Sequence, residues 1–420
     1  MSLTVAINVP VVPGSGGGGV EQHFLGVIHS LAISAEEDDD LEFVLVVDDK
    51  NPTWLDPYIG ENMRVVTPTG SGVVGNVNAR MTDAVKRIAR PVVKRTNVHN
   101  HFRSEPTVPD ADRKFSKLGA DVVHLPSPPF YRTDLPTIFC PHDLQHRHYS
   151  EFFPERAIKE REVTYSTGCR EADVVVAPSE FVKSDIIDAY GPECEPIHVI
   201  SRGPPTDLYD SIDDETVREA KAEYDLPDRF AFYPAQTMQH KNHRRLVEAV
   251  GRLRDEGIRI DLILTGKKSA NWPEIKTRIT EVGVDDRIRM LGYVPGNHLR
   301  ALYRLAEFVV FPSLFEGGGF PLIESWAEST PVACSATTAL GERAGDAAQT
   351  FDPESVDEIA EALRRMYTDA DLRSQLVKRG NERIKEFSWE QTGRAYRHLY
   401  REVANGVLPK DSDGVLESVN

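Results

Sequence analysis

Residues 308–324 read FVVFPSLFEGGGFPLIE, a short apolar strand followed by a glycine-rich loop and the start of a helix. Pro321 stands where the first helical residue is expected, and its missing N–H is harmless there. The free N–H groups of Gly318, Gly319 and Phe320 would then point, with the positive end of the helix, beyond the end of the strand. Open parallel sheets bind ligands outside the carboxyl ends of their strands. The segment therefore predicts an anion site.

Two carboxylates lie beside the predicted anion site. Glu316 belongs to the glycine-rich loop, and Glu324 lies one turn into the helix. Carboxylate oxygens accept hydrogen bonds from hydroxyl groups, so a pair of them beside an anion site suits a ligand that carries sugar hydroxyls and phosphate. The alternative interpretation is a capped helix with a tight turn and two exposed acids.

The pattern of a short apolar strand followed by an amphipathic segment recurs along the chain and predicts parallel sheets covered by helices. Gly203-Pro204-Pro205 and an acidic stretch interrupt it, which indicates two doubly wound α/β domains. The expected parts are an N-terminal domain, a linker, a C-terminal domain, a final helix and a loose polar tail (1–200, 201–228, 229–386, 387–404 and 405–420).

Composition narrows the class of protein. Of 420 residues, 40% are hydrophobic and 27% charged, and the formal net charge is −17. These values are typical of a soluble globular protein and argue against sequence-independent nucleic-acid binding, which needs a basic surface. No run approaches the roughly 18 apolar residues of a membrane span, and the N-terminus lacks a signal-peptide pattern. We expect a cytoplasmic protein whose four cysteines are buried free thiols.

One segment departs from the acidic average. Residues 80–117 carry ten Lys/Arg and four Asp/Glu, a local charge of +6. A solvated helical insertion explains this charge, and so does a surface attracted to anionic lipid or to a phosphate-bearing acceptor. The second interpretation predicts peripheral membrane contact through residues 80–117.

A second glycine-rich loop, residues 14–19, precedes Glu21 and a helix. Gly17, Gly18 and Gly19 would let the backbone approach a sugar or phosphate closely. The loop also satisfies the dinucleotide pattern GxGxxG, which keeps a nucleotide-dependent oxidoreductase or epimerase open. Prolines separate the glycines from the strand, and the acid expected at the end of a second strand about 20 residues further on is not in place, since Asp48 comes too late.

These motifs in combination resemble the retaining glycosyltransferases of family 4, also called glycosyl transferases group 1. The resemblance rests on Glu316 and Glu324 with seven residues between them, on the glycine loop before Glu21, and on three further segments: TIFCPHDLQH (137–146), ADVVVAPSEFVKSDI (172–186) and YPAQTMQHKNHRRLVEA (233–249). It implies the GT-B fold, two Rossmann-like doubly wound parallel-sheet domains with an interdomain cleft. The donor is then expected in the C-terminal domain, the acceptor in the N-terminal domain, and the final helix crosses back to the first domain.

The resemblance also implies roles for single residues. Glu316 would bind the hydroxyls of the donor sugar and Glu324 the ribose, while Lys241 would neutralise the leaving diphosphate. The donor-binding backbone would come from the glycine loop and helix start (Gly317, Gly318, Gly319 and Phe320).

One position departs from the family pattern. Many members carry an arginine where this chain has Gln236, which leaves one phosphate cation unaccounted for. Arg202 and Lys267 are candidates to replace it.

His142 matches the family's active-site histidine, which contacts the donor sugar from the acceptor side. The alternative is a solvent-exposed or capping histidine. His142, His146 and His148 could also suggest a metal, but their spacing matches no metal-binding pattern, and the family works without metal or other cofactor.

The expected function is transfer of a hexosyl group from a UDP- or GDP-sugar donor to a hydroxyl of a sugar, glycan or lipid-linked acceptor, with retention, in cell-surface polysaccharide or glycolipid biosynthesis. No nucleic-acid partner is expected. A non-catalytic nucleotide-sugar-binding protein on the same scaffold remains the alternative, because Gln236 departs from the pattern.

Overall fold

The structure is a computed structural model that describes residues 2–9, 19–35, 40–49, 52–67 and 105–406. Gly17 and Gly18 of the first glycine loop, most of the basic segment 80–117 and most of the tail 405–420 lie outside the described residues. All four cysteines are buried and free, as predicted. No helix in the described part is long and apolar enough to cross a bilayer.

The first sheet has seven parallel strands in the order β3-β2-β1-β4-β5-β6-β7. Its core strands are almost wholly apolar because helices cover both faces, as is usual for parallel sheets. The strands are β1 (Leu3–Val9), β2 (Leu41–Val47), β3 (Met63–Val66), β4 (Val122–Leu125), β5 (Thr137–Phe139), β6 (Val174–Ala177) and β7 (Ile197–Val199). The helices of this half are α1 (Gly19–Ile33), α2 (Asp112–Phe115), α3 (Gln145–His148), α4 (Glu155–Glu171) and α5 (Glu180–Tyr190).

The second sheet has six parallel strands in the order β10-β9-β8-β11-β12-β13. They are β8 (Ala231–Pro234), β9 (Leu262–Thr265), β10 (Ile288–Gly292), β11 (Phe308–Phe311), β12 (Val332–Ser335) and β13 (Gln349–Phe351). The remaining helices are α6 (Asp214–Glu223), α7 (His243–Asp255), α8 (Trp272–Val282), α9 (Gly296–Leu305), α10 (Phe320–Ala327), α11 (Thr338–Ala344), α12 (Val356–Thr368), α13 (Ala370–Arg383) and α14 (Trp389–Ala404). Two parallel sheets of this kind confirm the predicted α/β class.

The last helix, α14, packs on α1 of the first sheet rather than on the second sheet that precedes it in sequence. Tyr396 and Tyr400 belong to the same buried cluster as Val5 of β1. A Cβ added to Gly26 would meet the Trp389 ring at 2.0 Å, so the two helices come together only because this position is a glycine. The chain therefore crosses between the two halves twice.

The segment 201–228 contains more regular structure than its sequence indicates. Asp213 caps α6 by accepting from the Thr216 N–H at 2.9 Å, and α6 packs against α9. Upstream of it, the Pro204 carbonyl accepts from Trp389 Nε1 at 2.8 Å. The two crossings, at residue 204 and at residue 389, thus lie side by side.

Candidate active site

A cavity of about 710 Å³ opens between the two halves. Its lining comes from loops that follow strand ends and from the helix starts behind them, where ligands of parallel sheets bind. The lining includes most of the residues singled out in the sequence: Gly19, His142, Arg202, Gln236, Lys241, Glu316, Gly317, Gly318, Gly319, Phe320 and Glu324. The site residues that the structure describes are therefore brought together, with Glu21 the exception, since its neighbour Gln22 lines the cavity instead.

The wall formed by the second sheet is built around the loop between β11 and α10. Gly319 caps the helix in the left-handed region at φ +65°, and Pro321 follows as the second helical residue. The first amides of a helix have no acceptor within the helix, and Gly318, Gly319 and Phe320 line the cavity at the positive end of this helix dipole. The loop for which the sequence predicts an anion site thus lies at the cavity wall.

Lys241 and Glu316 form an ion pair in this wall. The distance between Lys241 Nζ and Glu316 Oε1 is 2.5 Å, and their side chains are 17% and 13% exposed. The neighbouring Asn242 is in the left-handed region at φ 58°, and its Nδ2 donates to the carbonyls of Pro312 and Pro353 at 2.9 and 2.7 Å. These bonds fix the turn that carries the lysine against the loop that carries the carboxylate.

Glu324 is a buried carboxyl one turn into α10. Tyr303 donates its hydroxyl to Oε2 at 2.7 Å. Burial raises the pKa of Glu324 to about 7, the Glu328 charge adds to this shift, and the Tyr303 hydrogen bond and Lys241 oppose it. This carboxyl therefore titrates near pH 7 rather than near 4.5, and a ligand that donates to it favours the ionised form.

His142 provides the opposite wall, in the left-handed region at φ 71°. Its Nδ1 lies 3.1 Å from Arg202 Nη2, and since a guanidinium can only donate, Nδ1 accepts. Burial and the Arg202 charge lower the pKa of His142, so the ring is neutral and carries its proton on Nε2. Among the described residues Nε2 has no hydrogen-bond partner. The ring is thus a donor at the cavity wall.

Asp143 was not singled out in the sequence, although it follows His142 directly. It lines the cavity, and burial raises the pKa of its carboxyl. A Cβ added to Gly317 would lie 2.8 Å from Asp143 Cβ and 2.9 Å from the His142 carbonyl oxygen. Gly317 is therefore needed for the close approach of the two walls.

Hydrogen bonds between the halves hold the two walls in this relation. Ser179 Oγ donates to the Gly317 carbonyl at 3.0 Å and also caps α5 by accepting from Val182 N at 3.2 Å. From α11, the Glu342 carboxylate accepts from the N–H groups of Glu180 and Phe181 at 3.2 and 2.6 Å. A helix start of the first half is thus capped by a side chain of the second.

The remaining candidate residues differ in whether they line the cavity. Lys267 is exposed and does not line the cavity, whereas Arg202 does. His146 pairs with Glu162 at 2.8 Å and His148 with Asp185 at 2.7 Å, so they do not converge with His142. Within the described ranges no group of three or more His, Cys, Asp or Glu side chains could hold a metal ion.

Comparison with known proteins matches two family models. "Glycosyltransferase Family 4" matches residues 60–208, and "Glycosyl transferases group 1" matches residues 214–383. The two matches meet at the segment between the sheets.

Among similar curated proteins, O-antigen chain mannosyltransferase B of Escherichia coli is 30% identical over 266 residues, which are 61% of this chain and 69% of that protein. A D-inositol 3-phosphate glycosyltransferase of Corynebacterium glutamicum is 27% identical over 244 residues, which span 56% of this chain and 58% of the relative. The Anabaena protein Alr3699/HepE, solved with UDP-glucose, superposes with a TM-score of 0.67 at 14% identity, over 95% of this chain and 100% of its own. This last likeness shows the GT-B fold.

Proposed function

The chain belongs to glycosyltransferase family 4, the glycosyl transferases group 1, and we propose that it transfers a hexosyl group from a UDP- or GDP-sugar to a hydroxyl acceptor with retention of configuration. The observation that carries this proposal is the Lys241–Glu316 pair beside the amides of α10. A cation, a carboxylate and a helix start at one place suit a leaving diphosphate attached to a polyhydroxylated sugar.

In the proposed mechanism the donor enters with its diphosphate toward Lys241 and the start of α10. Lys241 exchanges its contact with Glu316 for a phosphate oxygen, and Glu316 then accepts from the hydroxyls of the donor sugar. Negative charge grows on the diphosphate as the glycosidic bond breaks, and both the lysine and the helix dipole stabilise it. The proposal assigns no metal or other cofactor to this step.

His142 and Glu324 position the donor. The Nε2–H of His142 is a buried donor without a protein partner among the described residues, which supports a hydrogen bond to a sugar oxygen. Glu324 keeps Oε1 for the ribose while Tyr303 occupies Oε2. The acceptor hydroxyl attacks from the face that the diphosphate leaves, and a diphosphate oxygen takes its proton.

For the acceptor, we propose a glycan or lipid-linked sugar in cell-surface polysaccharide or glycolipid assembly at the cytoplasmic side of a membrane. The names of the two relatives support this class, since one is an O-antigen chain mannosyltransferase and the other a D-inositol 3-phosphate glycosyltransferase. The basic residues of 80–117 support peripheral contact with anionic lipid. Flotation with anionic liposomes tests it, and equal flotation of a charge-neutralised variant of that segment would remove the segment from membrane binding.

The donor is tested by thermal shift with UDP, GDP, ADP and their sugars. A ligand at 100 times its dissociation constant adds about 2.7 kcal/mol to the stability of the folded state, enough to rank donors. The selected donor is then supplied with candidate acceptors, with and without a chelator, and the anomer of the product is read by NMR. An inverted anomer, or transfer that stops with the chelator, would contradict the proposed chemistry.

A second candidate function is nucleotide-sugar binding without catalysis. Gln236 favours it, because it lines the cavity where many family members carry a phosphate-binding arginine. Tight donor binding without donor hydrolysis or transfer to any acceptor would favour this alternative over the enzyme.

A further inference from the structure

Arg202 is a buried cation of the cleft that lacks an ion-pair partner among the described residues. It is 7% exposed, and its Nη2 donates to the neutral His142 ring rather than to a carboxylate. Its Nε is buried without a hydrogen-bond partner within the described ranges. The nearby Asp143 attracts Arg202 without forming an ion pair or hydrogen bond with it, so the buried guanidinium keeps an unsatisfied donor, which is unfavourable.

The guanidinium of Arg202 lies against the glycine-rich loop. A Cβ added to Gly318 would lie 3.0 Å from Arg202 Nη1, and the guanidinium carbon is 5.2 Å from the centre of the Phe320 ring. Phe320 begins α10 and Gly318 lies two residues before it, at the end where the helix dipole is positive. Two positive groups thus face the same space.

A second buried arginine strengthens this positive field. Arg343 is 4% exposed and lies beside Gly319, and its Nε also has no hydrogen-bond partner in the described part of the chain. Burial lowers the pKa of Arg343 to about 10; the Arg202 and Arg383 charges add to the shift and Glu342 opposes it. An anion between Arg202 and the loop would relieve the repulsion.

From these contacts we infer that Arg202 binds an anionic group of the donor together with the amides at the start of α10, the task for which an arginine is missing at Gln236. The inference rests on the proposed function, because it names a further contact with the same donor. The anionic oxygens can belong to the diphosphate or to the carboxylate of an acidic sugar. Both offer paired oxygens to the two-pronged donor face of a guanidinium.

The experiment compares wild type with Arg202→Gln, Arg202→Lys and the matched control Arg259→Gln, whose residue is exposed and outside the cavity lining. Calorimetry measures binding of UDP, GDP, UDP-glucose, GDP-mannose and UDP-glucuronate. We expect Arg202→Gln to lose at least about tenfold in affinity, as for the loss of a charge-assisted hydrogen bond. The lysine variant should keep part of the affinity, and the control should match wild type.

The ligands distinguish the two sources of the anion. A loss already seen with UDP or GDP assigns the contact to the diphosphate, and adding Gln236→Arg to Arg202→Gln should then restore binding. A loss confined to UDP-glucuronate assigns it to a sugar carboxylate.

Affinities of Arg202→Gln within twofold of wild type for all five ligands would overturn the inference. If Arg202→Gln does not fold, the same result with Arg202→Lys overturns it, because an ammonium cannot reproduce two parallel N–H donors. Absence of nucleotide binding by wild type would instead reject the proposed function itself.

Discussion

The two walls of the cleft differ in whether their polar side chains have partners within the protein. On the wall of the second sheet, Lys241 is paired with Glu316 and Glu324 with Tyr303. On the opposite wall, His142 Nε2 and Arg202 Nε are buried without partners in the described part of the chain. In the proposed mechanism the wall of the second sheet, here the paired wall, must exchange the Lys241–Glu316 contact for contacts with the donor. The opposite, unpaired wall holds donor groups that no protein contact has to release, so the two walls would contribute to binding at different steps.

The largest effect is expected on the paired wall, from Lys241→Met. This variant keeps much of the side-chain length but removes the charge that is proposed to stabilise the leaving diphosphate. Loss of one such electrostatic contact lowers kcat by about 100- to 1000-fold. The control is Lys268→Met, since Lys268 lies over the Trp272 ring at 5.0 Å and outside the cavity lining. Steady-state kinetics measure both, and an unchanged kcat in Lys241→Met would remove the lysine from the mechanism.

The next effect tests the contact between the walls, through Gly317→Ala. The new methyl group would collide with Asp143 and with the His142 carbonyl, so the walls must separate by some tenths of an ångström. A displacement of about 1 Å at a reacting centre can lower turnover about 100-fold, and we expect a loss of kcat/KM between tenfold and that limit.

Gly257→Ala is the control for Gly317→Ala, because its added methyl group strains the backbone without a steric clash. Gly257 has φ +82° and nothing within 4 Å of an added Cβ. The Gly257→Ala variant should therefore be less stable by about 1 kcal/mol through backbone strain, with unchanged turnover. Wild-type kinetics in Gly317→Ala would show that the walls need not meet as closely as the structure places them.

A smaller effect concerns pH and Glu324. Its pKa is raised from the ordinary 4.5 to about 7 by burial, so between these values the folded chain holds a proton that the unfolded chain has lost. The contribution of Glu324 to the free energy of unfolding therefore falls as the pH rises from about 4.5 to 7, and it stays constant above pH 7. Nucleotide affinity should instead increase with pH, because the proposed contact with the ribose uses the ionised carboxylate. The dissociation constant should rise by up to about tenfold per pH unit below 7.

Glu324→Gln tests both pH trends. It is neutral at every pH, so it should flatten the stability and the affinity profiles together. Denaturant melts and calorimetry between pH 5 and 8 measure the two quantities. Affinity profiles of the same slope in wild type and Glu324→Gln would assign the pH dependence to another group.

Much of the paired wall could be predicted from the sequence, because its residues follow strand ends within one half of the chain. Lys241, Glu316 and Glu324 belong to the segments after β8 and β11, and neighbouring parallel strands bring those segments to one edge. Strand β13 at the edge of the sheet could not be predicted, because Gln349 and Thr350 give its three residues no apolar pattern.

The unpaired wall could be predicted only in part. His142 carries a motif, but its neighbour Asp143 is important only because Gly317 of the other half lies against it. The choice between Arg202 and Lys267 likewise depends on how the segment after β7 turns into the cleft. Such contacts depend on the relative placement of two sheets, which local periodicity does not determine.

The smallest effect is expected from Glu342→Gln, at the contact that joins the walls. The carboxylate uses one oxygen for each N–H group, whereas the amide keeps a single acceptor oxygen, for the shorter contact with Phe181. Water can accept from the exposed Glu180 N–H at the helix start, so the main loss is the attraction between the carboxylate and the dipole of α5. That attraction is worth about 0.3–1 kcal/mol at low ionic strength, which raises KM for the donor about two- to fivefold if closure precedes binding. Salt screens the same attraction, so the KM values of wild type and Glu342→Gln should become equal above roughly 0.5 M salt. The control is Glu219→Gln, an exposed position on α6, whose KM should match wild type at every salt concentration. A KM difference that persists at high salt would show that the Glu342 side chain does not act through its charge. The two walls would then be held together by the hydrogen bond between Ser179 and Gly317 rather than by the carboxylate at the start of α5.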